Sequence, residues 1–253
     1  MFKLTKYEFR KNLTGPIILF AVIGALELLF LGSKLLNKEG TMIVAFIVQL
    51  LAMFFAYYII LILSISSYSR ELRSKSSYMT FMAPVNAYQV IGSKLLSAFF
   101  VSAIFGVIMF VFVMLNYLIM EAHFSQLNDI KEAFEVLMEI FGYNIAELLL
   151  NVVMFIVELM ISFYLVVVLA YFAISLSSTV FQNKKFKWVV STVIFLVIYI
   201  SVVYMASHLP TIGDPTTLGQ AFISELPTML FYLVFIVGGY VGSAVLLEKA
   251  ISL

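Results

Sequence analysis

The chain has no cysteine, and with cysteine go disulfide bridges, thiolate metal sites and thiol nucleophiles. Histidine is nearly as scarce: His123 and His208 stand in separate polar stretches, with no carboxylate or second histidine at metal-ligand spacing, so no metal is expected. Charge is the third shortage. Asp, Glu, Lys and Arg make up 11% of the 253 residues, against roughly a quarter in a soluble domain. Catalytic motifs are missing too. There is no phosphate-binding loop; the nearest fragment, Ile91-Gly92-Ser93-Lys94, lacks the first glycine and a strand-to-helix setting in which backbone amides could wrap a phosphate. G-x-S-x-G and H-E-x-x-H are also absent, so an enzyme reading has no residues to rest on and no nucleotide site is expected in this chain.

What the chain has instead is apolar length. Hydrophobic residues are 63% of the total and the mean hydropathy is +1.09, more apolar surface than a water-soluble fold can bury. The hydropathy rises over 16–36, 41–68, 95–120, 144–175, 188–207 and 227–247. Each run is long enough, at about 20 residues, to cross a roughly 30 Å hydrocarbon core as a helix. None alternates with period two, as barrel strands would, and helices satisfy their own backbone groups in lipid. The expected fold is therefore all-α: a polytopic membrane protein, 1–253 forming a single transmembrane domain with six spans. The second and fourth runs exceed the need, and they are expected to tilt or project.

Orientation follows from the basic residues. Lys3, Lys6, Arg10, Lys11, Arg70, Arg73, Lys75, Lys94, Lys184, Lys185, Lys187 and Lys249 fall on one side, and only Lys34, Lys38 and Lys131 on the other. The positive-inside rule makes the first side cytoplasmic, with both termini inside. The basic start followed by an apolar run is too long for a signal peptide's core and lacks a small-residue cleavage site. Over 1–14, Phe2, Phe9 and Leu13 share a helical stripe beside Lys3, Lys6 and Arg10, the pattern of an interfacial helix at the inner leaflet. Thr14, Gly15 and Pro16 then offer a helix start. An acidic stretch, 129–139, could form a short amphipathic helix. Gly238, Gly239 and Gly242 read as a close helix-packing surface.

The most specific stretch is the loop between the second and third runs, 69–94. A helix over 70–83 would align Leu72, Met79 and Ala83 as an apolar stripe, with Arg70, Arg73, Ser77 and Thr80 facing another way. Pro84 would end it. The basic amphipathic entry Lys6-Tyr7-Glu8-Phe9-Arg10-Lys11, the six spans, this acidic-basic loop from Arg70-Glu71-Leu72 to Ala83-Pro84, and Gly92-Ser93-Lys94 opening the third run together resemble the ABC type-2 membrane permeases. Those are the transmembrane half of ATP-driven exporters. The resemblance spans the chain in layout, with its motif content in these two stretches. It implies partnership with two cytoplasmic ATPase subunits and with a second permease, identical or paralogous. ATP and Mg would be bound through the partner ATPase, and no nucleic acid is implied. It further implies that 69–94 is a coupling element, with Arg70, Glu71, Leu72, Arg73, Lys75, Met79 and Pro84 as ATPase-coupling residues. The same charges could instead anchor the loop to lipid headgroups.

Ionisable groups inside a bilayer are expensive and ask for a role. Glu27 lies in the first run. In the fourth, Asn144, Glu147, Asn151, Glu158 and Ser162 fall within about a 60° arc at 100° per residue. This stripe could line a translocation path for a cationic or amphipathic substrate, or act as hydrogen-bonding glue between helices. The first functional expectation is a permease in a bacterial cytoplasmic membrane, exporting an amphipathic peptide, antimicrobial or lipid-like compound. The alternatives are a proton-coupled transporter using Glu27, Glu147 and Glu158, or a membrane immunity protein that binds a toxin.

Overall fold

The computed structural model describes residues 2–73, 86–124, 145–180, 187–213 and 222–251. They form seven main helices: α1 (Phe2–Asn12), α2 (Thr14–Leu35), α3 (Glu39–Arg73), α4 (Ala87–Phe124), α5 (Ile145–Val180), α6 (Lys187–Ala206) and α7 (Leu226–Ile251). No strand occurs among the described residues. Six of these helices, α2 to α7, are long and apolar enough to cross a membrane, which makes the chain a multi-pass α-helical membrane protein.

Boundaries differ from the hydropathy reading where polar residues continue a helix. α3 has 35 residues, α4 38 and α5 36, which at about 1.5 Å per residue is over 50 Å each. Much of 69–94 is therefore helix: α3 runs on through Arg73 and α4 begins at Ala87, about two turns before the apolar run does. Backbone hydrogen bonding carries both helices past the end of the apolar sequence. The stretch 129–139 lies outside the described residues. At the first junction only Leu13 separates α1 from α2. Its backbone is helical (φ −70°, ψ −26°), and its carbonyl accepts a 3.0 Å bond from the Ile17 amide. Thr14 therefore does not cap α2. Pro16 sits in the first turn, where its missing N–H removes no intrahelical bond.

The chain divides into two compact units, one of residues 65–95 and 132–253, the other of 2–64 and 96–131. In the first unit α5 is central, since buried residues occur on every side between Phe163 and Ala173, the pattern of a helix enclosed by others. Leu165 and Leu169 of α5 pack with Val202 of α6, and Phe231, Tyr232, Phe235 and Ile236 of α7 close around them. In the second unit Phe30 of α2 and Met42 of α3 form a core flanked by Phe46 and by Ile119 and Met120 of α4. Phe20 and Phe105 meet there at 5.2 Å between ring centroids.

The α7 glycines have distinct environments. A methyl at Gly239 would fall 2.7 Å from Val168 Cγ1, and one at Gly242 2.8 Å from Phe172 Cε2, whereas one at Gly238 would meet nothing within 4 Å. Close α5 to α7 packing thus needs Gly239 and Gly242. Val168 is β-branched and cannot swing aside cheaply. Gly239→Ala is expected to lower stability by about 1–3 kcal/mol. Gly238→Ala should be neutral or slightly stabilising through helix propensity. Thermal unfolding in detergent distinguishes the two signs.

Candidate functional site

Within the first unit the segment 74–86 is bounded by helix ends that are held by polar contacts. On the last turns of α3, Ser67, Tyr68 and Glu71 are buried while Arg70 is exposed, because residues three and four apart share a helix face. On the first turns of α4, Val90, Ile91, Ser93 and Lys94 are buried. The Lys94 ammonium donates to Glu71 Oε2 in an ion pair whose side chains are only 4% and 8% exposed. Such a pair joins its two helices, since separating it removes the mutual attraction that offsets the desolvation of two enclosed charges.

Tyrosines extend this anchorage to α5 and α7. Tyr68 stacks on Tyr171, with centroids 4.2 Å apart and rings inclined by 24°, and its hydroxyl lies 2.6 Å from Ser175 Oγ. Tyr171 and Ser175 are one turn apart on α5, so a single α5 face engages both the ring and the hydroxyl of Tyr68. Also from α5, the Tyr164 hydroxyl donates to the Leu95 carbonyl at 3.0 Å. From α7, the Tyr240 hydroxyl donates to the Tyr88 carbonyl at 2.9 Å, with the two rings edge to face at 6.1 Å. A displacement of either helix end at this segment must therefore move α5 and α7 or break these bonds.

The second unit holds a separate polar centre. Glu27 of α2 accepts from Gln49 Nε2 of α3 at 2.5 Å and from Asn116 Nδ2 of α4 at 3.0 Å, and Asn116 Nδ2 also lies 3.0 Å from Gln49 Oε1. All three residues are buried. Glu27 is eight residues before the end of α2 at Leu35, about 12 Å inside the helix. Three helices are joined by one carboxyl, and its donors are neutral amides.

The sequence-derived coupling residues are distributed unevenly. Arg70 is exposed, Glu71 is turned inward to Lys94, and Leu72 is half-buried. Arg73 ends α3, and its side chain lies outside the described residues, as do Lys75, Met79 and Pro84 entirely. Of the substrate-path residues, Glu27 is enclosed by Gln49 and Asn116. Glu158 and Ser162 are exposed on α5, with Glu225 and Tyr232 within electrostatic reach of Glu158. Asn144 lies outside the described residues. Glu147 and Asn151 belong to α5, but their side chains lie outside them too. Glu147 is eleven residues from Glu158 along the helix, a separation of about 16 Å, so the stripe spans very different depths.

Sequence reasoning overlooked Lys94 as a partner for Glu71, although a lone cation in the run Val90-Ile91-Gly92-Ser93-Lys94-Leu95 is a signal. It also overlooked Gln49 and Asn116, single amides inside apolar runs. The partners of Tyr68, Tyr164 and Tyr240 had no sequence signal. Comparison of the chain with protein-family models, with curated proteins and with solved structures finds no match.

Proposed function

We propose that this chain is the membrane permease subunit of an ATP-driven exporter, working as a pair of permeases with two separate cytoplasmic ATPases. The observation that carries the reading is the anchorage on either side of 74–86. A buried ion pair ties the segment's two flanking helix ends together, and three tyrosine hydroxyls tie them to α5 and α7, as a part that transmits force requires. The six-span layout and the absence of a nucleotide motif in this chain accord with it. Both termini and 74–86 are then cytoplasmic, as the distribution of basic residues implies.

Roles follow from placement. Exposed Arg70, with Arg73, Lys75 and Met79, would meet the ATPase, whereas Glu71 acts from behind as a positioning residue through Lys94. Closure of the ATPase dimer on nucleotide would bias the permease between two arrangements, limited by how differently nucleotide binds in each. The cargo would be an amphipathic peptide, antimicrobial or lipid-like compound, leaving beside α5. There an exposed Glu158 within an apolar span asks for a polar or cationic neighbour.

The test is a mild-detergent pull-down of the tagged chain from its host, with bound proteins identified and ATP hydrolysis assayed on the eluate. A copurifying ATPase at about one copy per permease is expected. Arg70→Ala with Arg73→Ala should reduce its recovery about tenfold while leaving thermal unfolding unchanged, the loss expected from one or two interfacial charged contacts. A stable chain that brings down no ATPase under conditions preserving other membrane complexes would defeat the proposal.

A further inference from the structure

Helix α1 buries a polar face and exposes a mixed apolar and cationic one. Its docked side is polar: Thr5 and Glu8 are buried. The exposed side carries Lys3, Lys6, Arg10 and Lys11 together with Phe2 and Tyr7, which are 83% and 62% exposed. At 100° per residue, Lys3, Lys6 and Arg10 fall within about 60° of one another, while Phe2, Phe9 and Leu13 occupy a neighbouring arc of about 40° between those cations and the docked face. The helix is thus divided along its length into a docked strip, an apolar strip and a cationic strip. Lys3, Lys6 and Arg10 form no ion pair among the described residues.

The junction with α2 fixes where these strips lie. One residue separates α1 from a membrane span, so the C-terminal end of α1 lies where that span enters the bilayer. At that depth an apolar strip beside a cationic one meets acyl chains and headgroups respectively. Unpaired cations at a headgroup plane are stabilised by anionic lipid by about 1 kcal/mol each. We infer that α1 is a docking surface for anionic phospholipid, which it holds through Lys3, Lys6 and Arg10 with Phe2 and Phe9 against the acyl chains. The inference depends on the membrane placement of α2 and not on the transport reading, so either can fail without the other.

The test is native mass spectrometry of the full chain in neutral detergent, titrated separately with phosphatidylglycerol and with phosphatidylcholine of the same acyl chains. Wild type is expected to retain phosphatidylglycerol in preference. Lys3→Gln/Lys6→Gln/Arg10→Gln should weaken that binding at least about tenfold. Raising salt from about 0.05 M to about 0.5 M should weaken it similarly, since the charges are exposed to screening. The three side chains are exposed, and an unchanged unfolding midpoint will show that the fold persists. Lys34→Gln/Lys38→Gln, at the other end of α2, should leave binding as in wild type. Equal retention of both lipids by wild type overturns the inference, as does a triple variant that still prefers phosphatidylglycerol. An equal loss in the Lys34/Lys38 variant overturns it by showing diffuse charge attraction. A triple variant that keeps the lipid but loses a copurifying protein would make the face a protein contact instead.

Discussion

Lys94→Met is expected to destabilise the chain by about 3–5 kcal/mol, because it removes the ammonium that is paired with an enclosed carboxylate, Glu71. Methionine keeps the length and apolar stem of lysine, so lost packing contributes little. Glu71→Met should have an effect of similar sign and size. The double variant Glu71→Met/Lys94→Met should recover most of the loss, since two apolar side chains can replace a buried pair at little net cost and sometimes with a gain. Thermal unfolding of all four proteins in one detergent closes the cycle and yields the coupling energy. Simple additivity would show that the pair contributes no specific interaction. The same proteins separate stability from coupling. On the proposed exporter reading, if the pair transmits motion between the helix ends, the double variant will fold and bind the partner ATPase yet show reduced substrate-stimulated hydrolysis. Wild-type stimulation in a well-folded double variant would restrict the pair to a structural role.

The second large effect is expected at Glu27. Glu27→Leu removes the acceptor shared by Gln49 and Asn116 and leaves two amides buried among apolar side chains. The estimated loss is about 2–4 kcal/mol, from one to two kcal/mol for each donor left unsatisfied. Glu27→Gln retains an acceptor of the same shape, so its stability should lie within about 1 kcal/mol of wild type, near the modest net worth of hydrogen bonds between membrane helices. This pair of variants decides between the two roles open to Glu27. On the proposed exporter reading, a residue that only joins helices will tolerate glutamine with transport intact. A carboxylate that attracts a cationic substrate will lose transport in Glu27→Gln although the protein unfolds at its usual temperature. The surrounding geometry favours the first outcome, because two neutral amides occupy the carboxyl group's Oε2 and enclose it within its own unit.

The hydropathy of the chain made the six spans legible because lipid imposes a simple requirement. About 20 apolar residues in succession are enough, and no partner elsewhere in the chain is needed to recognise them. The ends of α3 and α4 were less legible: helix continues through Arg73 and from Ala87 by backbone hydrogen bonding, which hydropathy does not report. Gly239 and Gly242 were recognisable as packing positions, yet Gly238 looked the same in sequence. Only the rotation of α7 against α5 separates it from them. Glu71 shows a similar limit. Its position in a charged loop suggested an exposed contact, while a helix continuing one more turn directs its side chain inward to Lys94, 23 residues later.

Composition and the order of residues alone determined that the chain lives in a membrane, that it crosses as helices, and that it carries neither thiol chemistry nor a nucleotide loop. These are local or summed properties, and each follows from what a residue type can or cannot do in lipid. The tertiary structure alone decided which polar groups are paired. Glu27 with Gln49 and Asn116, Glu71 with Lys94, and Tyr68 with Ser175 join residues 22 to 107 positions apart. Their meeting depends on the rotation and depth of separate helices. In a bilayer many helix rotations satisfy hydropathy equally well, and the burial of these few polar side chains selects among them.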